Sequence, residues 1–134
     1  MKTSRVISLI VLCGALLTGV RAFSQTDGII DQVKESIKAG SAKELSKYFN
    51  QAVDVTIEGK PENFSKAQAE FVLRDFFKAH PPSEFNIIHQ GSSKGGQPFA
   101  IGQYKSGSET YRVWMKIKTT GKEQLIQEIS FVKE

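Results

Sequence analysis

His89 is the side chain whose type best suits it to chemistry, because an imidazole gains and loses a proton near neutral pH. It follows Phe85 and Ile87 at alternating positions, a spacing that sets all three on one face of a strand. A general base also needs an orienting partner and a place for substrate. Asp54, Glu58, Tyr48, Tyr104 and Tyr111 are the available groups, and none of them stands in a catalytic motif. The plainer reading of His89 is a hydrogen-bonded surface or cavity-mouth residue. His80, just before Pro81 and Pro82, reads as a helix-end residue with its ring near the terminal carbonyls. The double proline between the two histidines leaves no zinc spacing, so neither a metal nor another cofactor is expected.

Other chemical motifs are missing from the sequence. There is no G-x-S-x-G elbow, phosphate loop or dinucleotide-binding glycine turn. The run Gly91 to Gly96 sits between two strands and opens no helix, so it reads as a hairpin loop. A stronger signal is the alternation from Tyr111 to Lys118. Tyr111, Val113, Met115 and Ile117 share one face, and Arg112, Trp114, Lys116 and Lys118 share the other. A tryptophan among cations marks a candidate interface of Tyr104, Arg112, Trp114 and Lys116, which Ile126 and Val132 would join in a suitable register. The simpler alternative is one exposed tryptophan under the stems of Arg112 and Lys116.

These residues are positioned by a single domain behind a removable leader. Met1 to Ser24 has Lys2 and Arg5, then an apolar run from Val6 to Val20, then small residues, which is the composition of an export signal cleaved after Ala22 or Ser24. The run is shorter than the roughly 20 apolar residues of a membrane span. Val11 and Leu12 before Cys13 argue against lipoprotein processing. The whole chain carries a formal charge of +4, and Lys2, Arg5 and Arg21 leave with the leader, so the remaining domain is near neutral. Nucleic acid and membrane surface are therefore poor partners for it. Cys13 is the chain's single cysteine, so residues 25–134 must be held by a packed core without disulfides.

Within residues 25–134, Asp27 is placed to cap a helix carrying Ile29, Ile30, Val33 and Ile37, with Gly40 as terminator. Ser41 and Glu44 form a capping box for a second helix with Leu45, Tyr48 and Phe49 on its apolar side. Val53, Val55 and Ile57 alternate as a strand, closed by a turn from Gly59 to Asn63. Ser65 and Gln68 cap a third helix with Phe71, Val72, Phe76 and Phe77 inward, stopped by Pro81. The remainder reads as four antiparallel strands, 85–90, 99–105, 109–119 and 123–133. The last two exceed the usual length, which predicts a strongly bent sheet of about five strands in an α+β domain.

This order resembles the nuclear transport factor 2-like (cystatin-like) fold, a curved sheet closed by helices into a cone. Ser65-Lys66-Ala67-Gln68 leading into Phe76-Phe77, Ala100-Ile101-Gly102-Gln103-Tyr104, and Tyr111-Arg112-Val113 with Leu125-Ile126-Gln127 are similar to an exported Gram-negative family, domain-of-unknown-function family 4783. The resemblance transfers no catalytic residue. It implies a periplasmic or envelope location and a homodimer paired through the outer sheet face. Inside the cone, Phe71, Phe85, His89, Tyr111, Met115 and Phe131 are candidate pocket residues for a small apolar ligand. The favoured function is thus a non-enzymatic ligand-binding or interaction module, with a small isomerase or dehydratase using a cavity histidine or carboxylate as the alternative.

Overall fold

Ile29, Ile30, Val33 and Ile37 fall on one helical stripe, and all four are buried. In the computed structural model, which describes residues 25–134, they belong to α1 (Gln25–Lys38). Asp27 lies within that helix instead of capping it, and the expected leader Met1 to Ser24, with Cys13, lies outside the described residues. Ser41 caps α2 (Ala42–Ser46), its Oγ accepting from the Glu44 N–H at 3.1 Å. The Glu44 carboxylate turns to Lys47, 3.0 Å away, in place of closing the expected box. The helix stops at Ser46, so Tyr48 leaves it and Phe49 opens a strand.

That strand, β1 (Phe49–Ile57), reverses through Glu58 and Gly59 at φ 55° and 79° into β2 (Lys60–Ser65). The segment expected to be a turn up to Asn63 is therefore a sixth strand. Pro61 conceals it in the sequence, yet β2 is an edge strand, where a missing N–H costs no ladder bond. Ser65 then closes the expected capping box on α3 (Lys66–Ala79). The Gln68 N–H donates to Ser65 Oγ at 3.2 Å, and the Ser65 N–H donates to Gln68 Oε1 at 3.1 Å. Ala69, Leu73, Phe76 and Phe77 form the buried stripe of α3. Phe71 does not join it, because a residue two positions from both Ala69 and Leu73 points away from their face. It is 60% exposed, with the Arg74 guanidinium 4.8 Å from its ring, and lines no pocket in the cone.

The meander β3 (Glu84–Ser92), β4 (Pro98–Ser106), β5 (Glu109–Thr120) and β6 (Glu123–Lys133) completes a sheet of order β2-β1-β6-β5-β4-β3. All neighbours are antiparallel except β1 and β6, which run parallel. Register breaks in the β1/β6, β3/β4 and β5/β6 pairs interrupt the pleat, as a curved sheet requires. The three helices cover one face, and a single aromatic and aliphatic core lies between.

At the middle of β4 the core admits no side chain at all. A Cβ on Gly102 would lie 2.5 Å from two Phe85 ring carbons and 3.1 Å from the Asn86 carbonyl oxygen. Phe85 fills the space that any larger residue would claim. Gly102→Ala is expected to lower stability by about 1–3 kcal/mol through overpacking. Urea denaturation should show an earlier midpoint with an unchanged slope, and a wild-type midpoint would mean that the Phe85 ring moves aside freely.

Candidate functional site

Residues paired across neighbouring strands share a face, so the registers fix which side chains meet. His89 pairs with Ile101, Ile101 with Trp114, and Trp114 with Ser130, all on the face away from the helices. His89 is there because Ile88 is an extra residue between the pairs Ile87/Gly102 and His89/Ile101. That bulge reverses the alternation that begins at Phe85 and Ile87. The histidine is exposed, its ring centroid 5.7 Å from that of Phe99, and it does not line the cone. Phe99 in turn stacks on Trp114 at 5.2 Å and 30°.

Of the expected interface residues, Arg112, Trp114 and Lys116 are on this outer face, and the Arg112 guanidinium reaches Glu134 at 2.9 Å. Tyr104 is not on it. Pairing with Tyr111 turns Tyr104 inward, where it is fully buried. Ile126 is also inward, since the β5/β6 register shifts between Lys116/Glu128 and Ile117/Ile126 and skips Gln127. Val132, opposite Arg112, is half exposed on the outer face. Phe85, Tyr111, Met115 and Phe131 do point into the cone, but each is at most 1% exposed. Their side chains fill the interior and leave no water-sized opening against themselves.

A group that the sequence reading passes over gathers at one end of the core. Pro81 disfavours helical backbone at His80, which caps α3 at φ −133° and ψ 71°. This conformation carries the ring away from the helix end and toward the sheet. His80 Nδ1 lies 2.9 Å from Glu109 Oε1 and 3.2 Å from the Tyr111 hydroxyl, and Lys133 Nζ donates to Glu109 Oε2 at 2.8 Å. The Tyr104 hydroxyl donates to the His80 carbonyl oxygen. Hydrogen bonds from Lys133 first and His80 second hold the Glu109 carboxyl below its ordinary range. Burial, then the nearby Tyr111, pushes the Tyr104 phenol well above its ordinary value, so it stays a neutral donor. No signal in the sequence pairs His80 with Glu109, because the α3 end and the β4–β5 turn meet only through the fold.

Among the described residues, no cluster of three histidine, cysteine or acidic side chains is arranged to hold a metal. No helix of the described residues is long and apolar enough to cross a membrane. A family model, the domain of unknown function DUF4783, matches residues 30–132. The chain belongs to this family. A DUF4783 family protein from Bacteroides ovatus is 31% identical, with a TM-score of 0.72 over 77% of this chain and 93% of that one. Two more distant structures share the fold alone. One is a cystatin-like domain of unknown function from Nostoc punctiforme, 9% identical with a TM-score of 0.65 over 84% of this chain and 80% of that one. The other is a nuclear transport factor 2-like protein of unknown function from Shewanella baltica, 8% identical with a TM-score of 0.62 over 81% of this chain and 90% of that one. None of the curated proteins matches the chain. This DUF4783 member thus has the nuclear transport factor 2-like α+β fold, with six strands where about five are expected from its sequence.

The Glu109 carboxyl gives the end cluster a pH signature. A carboxyl depressed in the folded state adds stability that is complete above its unfolded value, 4.5, and is lost as pH falls through the folded value. Glu109→Gln should therefore melt below wild type at pH 7, and the gap should close as the pH is lowered from 4.5. Thermal melts followed by circular dichroism across that window check it. A constant gap down to strongly acid pH would show that the amide, not the lost charge, causes the difference.

Proposed function

We propose that this DUF4783 protein is a non-enzymatic interaction module of the Gram-negative periplasm or envelope, exported by Met1 to Ser24 and paired with a second copy through its outer sheet face. The observation that carries this reading is the stacked Phe99 and Trp114, extended by Ile101 and His89, on a face that no helix of the described residues covers. Burying such aromatic surface is a strong driving force for association. The same face carries Arg112 and Lys116 beside Asp54 and Glu128, whose strand pairings place them on it. With both signs of charge present, two identical faces can meet without net repulsion.

The filled interior argues in the same direction. Apolar ligands need an open volume, and of the six residues expected to line one, Phe85, Tyr111, Met115 and Phe131 are buried in a single core cluster. For an isomerase or dehydratase, His89 is the leading base from the sequence, and it lies outside the cone. Trp114→Lys tests the pairing, since it puts a cation into the aromatic patch without touching the core. Sedimentation velocity should give the mass of two chains for wild type and one chain for the variant. A loss of about 2 kcal/mol or more, roughly thirtyfold in Kd, is usual for a central tryptophan. Wild type sedimenting as one chain at high protein concentration would sink the reading.

A further inference from the structure

His80 is held from both sides. Its N–H donates to the Phe76 carbonyl at 2.8 Å, its own carbonyl accepts from Tyr104, and its ring packs on Phe76 with centroids 5.1 Å apart. The Glu109 carboxylate beside Nδ1 is fixed by Lys133 on its other oxygen. An anionic neighbour accepts a hydrogen bond and cannot donate one, so the hydrogen-bond network assigns the imidazole hydrogen to Nδ1. In the neutral ring the lone pair is therefore on Nε2, which has no protein partner among the described residues.

His80 also lines a surface cleft of about 330 Å³ between α3 and the β1–β2 turn. Ile57, Val72, Phe76 and Ala79 give the cleft apolar walls, and its other two residues are Glu58 and Asp75. Neither carboxylate makes a hydrogen bond or close ion pair among the described residues, although Glu58 acts through space on Lys133. An oriented acceptor, an apolar wall and an excess of negative charge define a complementary ligand. We propose that this cleft binds a small amphipathic ammonium, which donates an N–H to His80 Nε2 and lays its carbon chain on Ile57, Val72 and Phe76. Glu58 and Asp75 favour the cation and repel an anion of the same shape. The site lies outside the paired sheet face, so it stands or falls apart from the dimer.

The test uses n-butylammonium as probe, with butyrate and n-butanol as comparators, on the ¹⁵N-labelled full protein. Two-bond ¹H–¹⁵N correlations report the two His80 ring nitrogens separately. Expected are a bare Nε2 in the free protein, a saturable shift at that nitrogen and at the Glu58 and Val72 amides with butylammonium, and none with butyrate. His80→Gln should weaken the titration roughly fivefold, the loss of about one hydrogen bond. Asp75→Asn, which breaks no hydrogen bond of the fold, should weaken butylammonium binding and leave n-butanol unaffected. It carries the test if His80→Gln does not fold. Equal shifts with butyrate, binding of n-butanol as tight as that of the ammonium, or an unmoved Nε2 would each overturn the proposal.

Discussion

The ring of Phe76 is the contact on which the arrangement depends. From the last turns of α3 it meets Phe131 at 4.6 Å, His80 at 5.1 Å, Tyr111 at 5.3 Å and Tyr104 at 5.7 Å between centroids. One side chain thus ties the helix to β4, β5 and β6 at once. Each such aromatic pair contributes about 0.5–1.5 kcal/mol beyond its buried area, and the geometry is specific as well as adhesive. Tyr104 and Tyr111 face each other across β4 and β5, and both must find partners for their hydroxyls when their rings are buried. The end of α3 supplies those partners through the carbonyl and ring nitrogen of His80. The polar cluster is in this sense a consequence of aromatic packing.

The periodicities in the sequence carry most of the fold because each reflects burial of one face. The stripe of α1, the Ser65/Gln68 cap and the inward set Tyr111, Val113, Met115 and Ile117 all appear as their spacing requires. Phe71 is on the wrong side of a regular helix, but where the reading of the strands departs from the structure a local device interrupts the period. Pro61 makes β2 look like a turn, and only its edge position allows it to pair. Ile88 and Gln127 are each one residue too many, and a single extra residue sends everything beyond it to the opposite face. For that one reason His89 is on the face opposite the expected one, and Ile126 does not have the register that would bring it to the outer patch. Nothing in the composition around either bulge announces it.

Site residues were less legible than elements, for a different physical reason. Trp114 and Arg112 are local: a two-residue period within one strand places them outward without knowledge of any other segment. Tyr104 needs the β4/β5 register to be placed, and the register is a property of two strands and the turn between them. His80 needs still more. Its neighbours Glu109 and Lys133 come from the start of β5 and the end of β6, the two open ends of the last hairpin. A histidine before a proline carries no mark of a carboxylate 29 residues away.

Phe85, Tyr111, Met115 and Phe131 are packed inside the cone, and β5 separates that core from the outer sheet face. Tyr111 and Met115 on its inner side support the core and the His80 cluster. Arg112, Trp114 and Lys116 on its outer side meet none of those groups. Alternation along one strand therefore isolates the aromatic patch from the buried tyrosines by the thickness of a backbone, with no shared side-chain partner. Substitutions on separate partners add in their effects on stability, while those in one network do not. Substitutions on the outer face are consequently independent of the end cluster, whereas those at Glu109, Lys133 and His80 are coupled to one another. Glu109 is the common member, since the same carboxylate orients the imidazole and pairs with the lysine.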